Sequence, residues 1–274
     1  MDFRRIEVIF LIVFFSLDIF LLVSFRNSQQ VVSSGSTTTS TVTEMRKRDI
    51  SFGKLDSKSG AAYYLGSRPN NDLAEHLNKL KNQELQYDDD DHKLESSLTE
   101  PFSVNTTNQE SKLNSFLKKE SNVLYGTKYK YAPQLSTASQ IVYAQTDSVG
   151  ELYDKTGRVT FEVDNKKVVG YTQTYVDDLM ILHEKEVTKS EKDVISNLYT
   201  NSEIPNNSRI VYANLAYTKL TEAKGSTIYI PVWFVTIQNK DSKVDTLKKV
   251  NAFTGNIIKA TTAGTITGDS DDSE

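Results

Sequence analysis

Twenty residues near the start of the chain, Ile6 to Phe25, constrain everything after them. Sixteen of the twenty are strongly apolar, and neither Gly nor Pro interrupts the run. At ~1.5 Å per residue such a helix spans the ~30 Å hydrocarbon core of a bilayer. The exceptions are Glu7, Ser16, Asp18 and Ser24. Glu7 lies near one end, within reach of headgroups, whereas Asp18 sits about a turn from the middle. One Asp near the centre costs roughly 2.5–3.5 kcal/mol and each Leu, Ile, Phe or Val returns roughly 0.3–0.6, so insertion is still favoured.

The spacing of the two acids matters more than their cost. Glu7, Leu11, Phe14, Asp18, Leu21 and Phe25 follow one another in steps of four and three, which is one stripe of a helix. Ionisable residues inside a membrane usually face protein or water rather than lipid. The stripe is therefore a candidate docking face for another transmembrane helix. The plainer alternative is an anchor whose Asp is protonated or reaches outward.

The apolar run exceeds the ~7–15 residues of a cleavable signal, and no A-x-A-like site follows it. With no Cys in the chain, lipidation at a cysteine is excluded. The segment reads as an uncleaved signal anchor. Arg4 and Arg5 precede it and only Arg26 follows closely, so the positive-inside rule puts residues 1–5 in the cytoplasm and the rest outside.

Removing anchor and linker from 274 residues leaves enough chain for one large or two small domains. A net charge of −4 with 25% charged residues carries no basic excess, so nucleic acid is not an expected partner. Zero Cys removes disulfides, thiol catalysis and cysteine metal sites. The 14 Tyr and 12 Phe, with abundant Val, Ile and Thr, favour strands.

Residues 26–48 are rich in Ser, Thr and Gln without an apolar period, which predicts a flexible linker. Two short strands are expected around Ile50–Leu55 and Ala61–Leu65, then a helix with Leu73, Leu77 and Leu80 on one face. The run Asp88–Asp91 lacks the ligand spacing and turn Gly of a calcium loop and reads as a solvated loop. A second helix over 109–121 puts Leu113, Phe116 and Leu117 inward. Val159, Phe161 and Val163 alternate before an Asp164-Asn165 turn and a returning strand, a hairpin continuing towards Leu182. Ser190 with Asp193 three residues on starts a helix that ends before Pro205. Strands follow at 209–220, with a bulge expected near Ala213–Asn214, and at 227–238, where Pro231 predicts an edge or bulged position. Val250–Ile258 turns around Gly255. Helices on one face of antiparallel sheets make an α+β ectodomain. Its expected parts are an N-terminal subdomain, 49–145, and a C-terminal one, 146–266, before an acidic disordered tail, 267–274.

No nucleophile elbow, phosphate loop, H-E-x-x-H or dinucleotide turn is present. His76, His92 and His183 stand apart from one another and read as surface or rim histidines rather than ligands. Asp177-Asp178 are adjacent, so on a strand they point to opposite faces, which spoils shared acid–base work. Trp233 reads as core rather than as a ligand platform. No catalytic residue, cofactor or metal site is assigned.

The opening Met1-Asp2-Phe3-Arg4-Arg5-Ile6-Glu7, running into an apolar span that contains Asp18, resembles the YycI (WalI) family. So does the layout through a Tyr-rich middle to Ile230–Val235 and Asn251–Asn256, a pair also similar to strands of PepSY-like domains. The resemblance implies a single-pass regulator of the WalK–WalR (YycG–YycF) two-component system of low-GC Gram-positive bacteria, concerned with cell-wall homeostasis. Its implied partners are the anchored protein YycH and the sensor histidine kinase WalK, met through transmembrane helices and ectodomain. It implies an α+β ectodomain without a catalytic centre. The competing class is an anchored envelope binder or wall-active enzyme, for which any equally apolar anchor would serve.

The orientation has a direct test. A reporter fused after Glu274 should be active only outside the cytoplasm, as the Arg4-Arg5 bias requires; cytoplasmic activity would reverse the assignment.

Overall fold

The computed structural model describes residues 3–30, 35–223 and 225–259; in the first two helices the described side chains are Val8, Phe10–Leu22 and those from Thr41 onward. In chain order the elements begin with helices α1 (Phe3–Gln30) and α2 (Gly35–Lys47), strands β1 (Ala61–Ala62) and β2 (Leu65–Ser67), and a short helix α3 (Asp72–Glu75). Then come β3 (Gln83–Asp88), β4 (Lys93–Ser103), α4 (Gln109–Leu117), β5 (Tyr129–Tyr131), β6 (Gln140–Asp147), β7 (Gly150–Leu152), β8 (Arg158–Asp164) and β9 (Lys167–Gln173). The last third holds β10 (Met180–Ile181), β11 (Glu186–Val187), α5 (Glu191–Thr200), β12 (Ser208–Ala223), β13 (Ser226–Asn239), β14 (Asp245–Asn251) and β15 (Ile257–Ile258).

Thirteen strands form one sheet. Its main path runs β10-β2-β13-β12-β7-β6-β8-β9-β4-β3, with β14 and β15 continuing beside β13 and β5 beside β6. Between the named strands every pairing is antiparallel except that of β7 with β12, where Leu152 lies opposite Tyr217 in parallel; an isolated bridge of Ser51 to Arg209 is also parallel. The fold class is α+β, with a mostly antiparallel sheet and few helices, as the residue pattern predicts.

Register assigns the faces. In a strand, side chains alternate, and paired residues share a face. Ile141 and Tyr143 pair with Phe161 and Val159, and Phe161 pairs with Tyr171. All five join one core with Leu113 and Leu117 of α4. Val235 and Ile237 pair with Ala213 and Ile210 and pack with Val194, Ile195 and Leu198 of α5. Between these cores lie Leu152, Tyr217 and Tyr229. Gln145 connects them by register, so α4 and α5 stand on the same face. The opposite face carries Val142, Ala144, Ala216, Ile230, Val232 and Phe234. Burying a Leu, Val, Ile or Phe side chain contributes roughly 1.5–3 kcal/mol, so these clusters dominate the stability.

Local chemistry explains several elements. Ser190 is the N-cap of α5, accepting the Asp193 N–H at 3.2 Å while its hydroxyl donates to Asp193 Oδ2 at 2.7 Å. Asn165 and Lys166 at the tip of the β8–β9 hairpin have φ of 48° and 61°, as a two-residue turn between right-twisted strands requires. Pro231 lies inside β13, not at a free edge. It falls where β13 changes partner, since β2 pairs up to Tyr229 and β14 begins at Val232. The missing N–H therefore points into a gap in the ladder.

Besides Pro231, no strand forms over Ile50–Leu55, where Ser51 makes only an isolated bridge to Arg209, and the helix expected through Leu80 is the four-residue α3 followed by a 3-10 turn; the structure departs from the sequence reading in four further places. Residues 26–48 do not form a flexible linker throughout: helix continues to Gln30 and α2 runs from Gly35 to Lys47. Propensity disfavours helix there, but packing overrides it, because Met45 is fully buried against the α5 core. Arg46 and Arg48 lie over the Phe52 and Tyr199 rings at 5.6 and 5.8 Å, fixing the exit from α2. Second, the 145/146 boundary falls between the paired strands β6 and β7, while β8 and β9 pair back onto β6 and β4. One core gathers residues between Leu73 and Tyr171, and the α5 core combines Met45 and Ile50 with residues from Val194 onward. Third, the β12 irregularities fall at Ile210/Tyr212 and Lys219/Thr221 rather than near Ala213. Fourth, the β8–β9 hairpin stops at Gln173 instead of continuing to Leu182. The tail 267–274 lies outside the described residues.

Met45 yields the stability test. Met45→Ala should cost about 2–5 kcal/mol, read as a lower urea midpoint for a soluble fragment spanning 41–259. The same fragment begun at Arg46 should be destabilised alike. An unchanged midpoint in both would mean that α2 does not dock.

Candidate functional site

Helix α1 carries the predicted interface residues. The apolar stretch makes it helical, with Ser16 Oγ donating to Ile12 O at 2.7 Å within it and the Phe10 and Phe14 rings stacked at 6.2 Å. Leu11, Phe14, Asp18 and Leu21 are exposed and lie along one helix stripe. The side chains of Arg4, Arg5, Glu7 and Phe25 lie outside those described. Exposure is not confined to the stripe: Phe15 is 66% exposed and Phe20 69%, on other sides of the helix. The described part of α1 is thus apolar and uncovered all round. Among the described residues no helix is long and apolar enough to cross a membrane; the described α1 side chains fall short of the ~17–25 residues that a span needs.

In the sheet domain, the sequence candidates for chemistry separate. Trp233 packs on the α5 core, its Nε1–H donating to Lys189 O at 3.0 Å. Asp88–Asp91 form the β3–β4 turn, with Asp88 Oδ1 accepting the Asp90 and Asp91 N–H groups. His183 sits edge-on to Tyr64. Among the described residues no cluster of His, Asp and Glu could hold a metal ion.

One constellation was not legible beforehand. His76 Nδ1 lies 2.8 Å from Asp72 O and 3.4 Å from Tyr125 Oη, and Tyr125 stacks on Tyr175 at 4.4 Å. Asp177, on the loop after β9, comes beside Asp72. Partial desolvation, then the Asp72 and Asp178 charges, raise the Asp177 carboxyl above its usual range, against the pull of Lys128. Asp72 and Asp177 are a hundred residues apart with no shared motif, so no local signal could have joined them. The stacked Tyr125 and Tyr175 rings cover one another and tie the two segments together. It reads as a structural clasp between the α3 turn and the β9–β10 loop.

Comparison with known proteins gives the decisive observation. A family model described as "YycI protein" matches residues 28–253. The chain belongs to the YycI family. The YycI match begins at Ser28 and so rests on the sheet domain, not on the Met1–Glu7 signature or on most of α1. Among solved structures, the fold is similar to an uncharacterized protein from Eubacterium rectale, with 10% identity, a TM-score of 0.42, and coverage of 78% of this chain and 91% of that one. It is also similar to the Bacillus megaterium YpeB C-terminal domain, with 9% identity, a TM-score of 0.36, and coverage of 82% and 96%. No curated protein matches.

The acidic pair predicts a pH response. An acid whose pKa is raised on folding binds more protons in the native state, so its contribution to stability falls as pH rises through the window above ~4. Asp177→Asn should therefore raise Tm at pH 7, by no more than about 2–4 °C because exposed charge pairs are worth under ~1 kcal/mol. The gain should vanish near pH 3. A loss of stability at pH 7 would show that the charged form is the favoured one.

Proposed function

We propose that this YycI-family chain is a single-pass regulator in the cell membrane that modulates a WalK-type sensor histidine kinase together with a YycH-like partner. The family match over residues 28–253 carries the reading. In it, residues 6–25 span the bilayer, the N-terminus is cytoplasmic and the sheet domain is extracellular. The uncovered apolar surface of α1 supports this, since a helix apolar on all sides needs lipid or protein around it. The stripe through Glu7, Leu11, Phe14, Asp18, Leu21 and Phe25 docks on partner helices. Contacts there and in the ectodomain set the kinase equilibrium, and the chain itself performs no chemistry.

The physical basis is the cost of a mid-membrane carboxyl. Facing lipid, Asp18 is expensive, and a partner helix offering a donor lowers that cost. Hydrogen bonds between membrane helices average only ~0.6 kcal/mol and rarely exceed ~1.7.

Asp18→Leu should accordingly insert at least as well as the parent and weaken association with partner helices by at most about tenfold. Asp18→Asn should be milder, and Leu17→Ala, off the stripe, should do little. Crosslinking in membranes with kinase output read alongside decides it, together with replacement of Ile6–Phe25 by an unrelated apolar span. Unaltered association and signalling in Asp18→Leu and in the replaced span would leave the helix a plain anchor and favour an envelope-binding role.

A further inference from the structure

The sheet face opposite the helices gathers three cations, Lys155, Arg158 and Lys249, against the single nearby carboxylate charge of Asp154. Arg158 pairs with Ala144 and Lys249 with Phe234, so both side chains share the face of the Val142–Phe234 cluster. Lys249 Nζ stands 5.4 Å over the Phe234 ring, and that ring meets Tyr153 at 5.1 Å. Ala144 pairs with Lys130 on one side and Arg158 on the other, and Gln145 with Tyr129 and Leu152 likewise, so β7 and β8 follow one another along the same side of β6. With β12, β13 and β14 following beside β7, β8 and β14 are three strand spacings apart, about 14 Å.

Neither cation is in direct contact with a carboxylate. Among the described residues neither Arg158 nor Lys249 makes an ion pair, and the Arg158 Nε is buried without a hydrogen-bond partner. Burial lowers the pKa of both; Asp154 opposes this, and at Lys249 the charges of Arg158 and Lys155 lower it further. Asp154 is already occupied, accepting from Thr156 N and Oγ1, Thr218 Oγ1 and Lys219 N. Glu151, also on this side, accepts from Asn214 at 3.1 Å. Around the same cluster the hydroxyls of Thr146 and Thr236 and both amide atoms of Gln134 are buried and unpartnered. A half-buried set of donors and cations of this kind recognises carboxylates.

The nearest source of carboxylates is the chain itself. Strand β15 pairs Ile258 directly opposite Lys249, so the chain leaves the sheet beside the cations. Asp269, Asp271, Asp272 and Glu274 follow. The nine residues from Ala260 to Gly268 reach up to about 30 Å at ~3.3 Å each, ample for return to this face. Tethering also raises the local carboxylate concentration to the millimolar range. We propose that the acidic segment Asp269–Glu274 docks on the Lys155–Arg158–Lys249 face of its own chain.

The test uses the full chain in detergent micelles and reads the acetylation rate of Lys249 by mass spectrometry. Lys248, paired with Glu203 at 2.6 Å on the other face, is the internal control. Neutralising the segment (Asp269→Asn, Asp271→Asn, Asp272→Asn, Glu274→Gln), or ending the chain after Lys259, should speed Lys249 labelling about fivefold to tenfold with Lys248 unchanged. Carbodiimide should join Lys249 or Lys155 to residues 269–274 within one chain, and Arg158→Gln should weaken that link. Equal Lys249 rates in all chains, or protection that persists after truncation, would overturn the proposal. So would crosslinks formed only between two chains.

Discussion

The short parallel contact between β7 and β12 holds the molecule together as one sheet. Leu152 opposes Tyr217, and the Tyr153 N–H donates to Tyr217 O at 2.7 Å. On either side the strands are antiparallel and carry their own helix, α4 over the β6–β8–β9 end and α5 over the β12–β13–β14 end. Without the seam these halves would present two raw sheet edges. The surrounding polar chemistry reinforces it. Asp154 ties the β7–β8 turn to Thr218 and Lys219, and Tyr217 Oη accepts the Tyr63 N–H at 3.3 Å.

Buried amides do for the irregular stretches what ladders do for the strands. Gln145 donates to Val176 O at 2.5 Å and accepts the Val176 N–H at 2.9 Å, so one side chain satisfies both backbone groups of a loop residue. Gln173 reaches Leu124 O at 2.6 Å and Tyr129 Oη at 3.2 Å. Tyr129 Oη in turn donates to Thr174 O at 2.7 Å, and burial drives its pKa far above the usual phenol range, so it remains a neutral donor. Gly126 allows the closest approach: an added Cβ would lie 2.0 Å from Leu117 O, so only Gly lets this turn lie against the end of α4.

Two burial regimes coexist in the chain. The sheet domain hides its apolar residues in clusters on both faces, as a water-soluble body does. The described part of α1 hides none. The docked α2 joins the α5 core through Met45.

Local pattern determined the elements whose partners lie nearby. The β8–β9 hairpin, α4, α5 with its Ser190 cap, the β12–β13 pair and the Gly255 turn (φ 81°) were all legible, whereas β14 (Asp245–Asn251) was not. In each, alternation, helical period or turn chemistry decides the conformation within a dozen residues. Tertiary structure decided the rest. The β3–β4 hairpin was invisible because polar residues such as Gln86, Glu95 and Ser97 fill one face and only a few apolar ones, Leu85, Tyr87 and Leu94, face the core. Met45 ends a Ser- and Thr-rich helix that propensity disfavours, and the α5 core makes it stable. Asp72 meets Asp177, and Arg158 shares a face with Lys249, through a strand order that no local signal encodes. Residue pattern sets which way a side chain points; which distant strand it meets depends on the closure of long loops, repaid only when the whole core assembles.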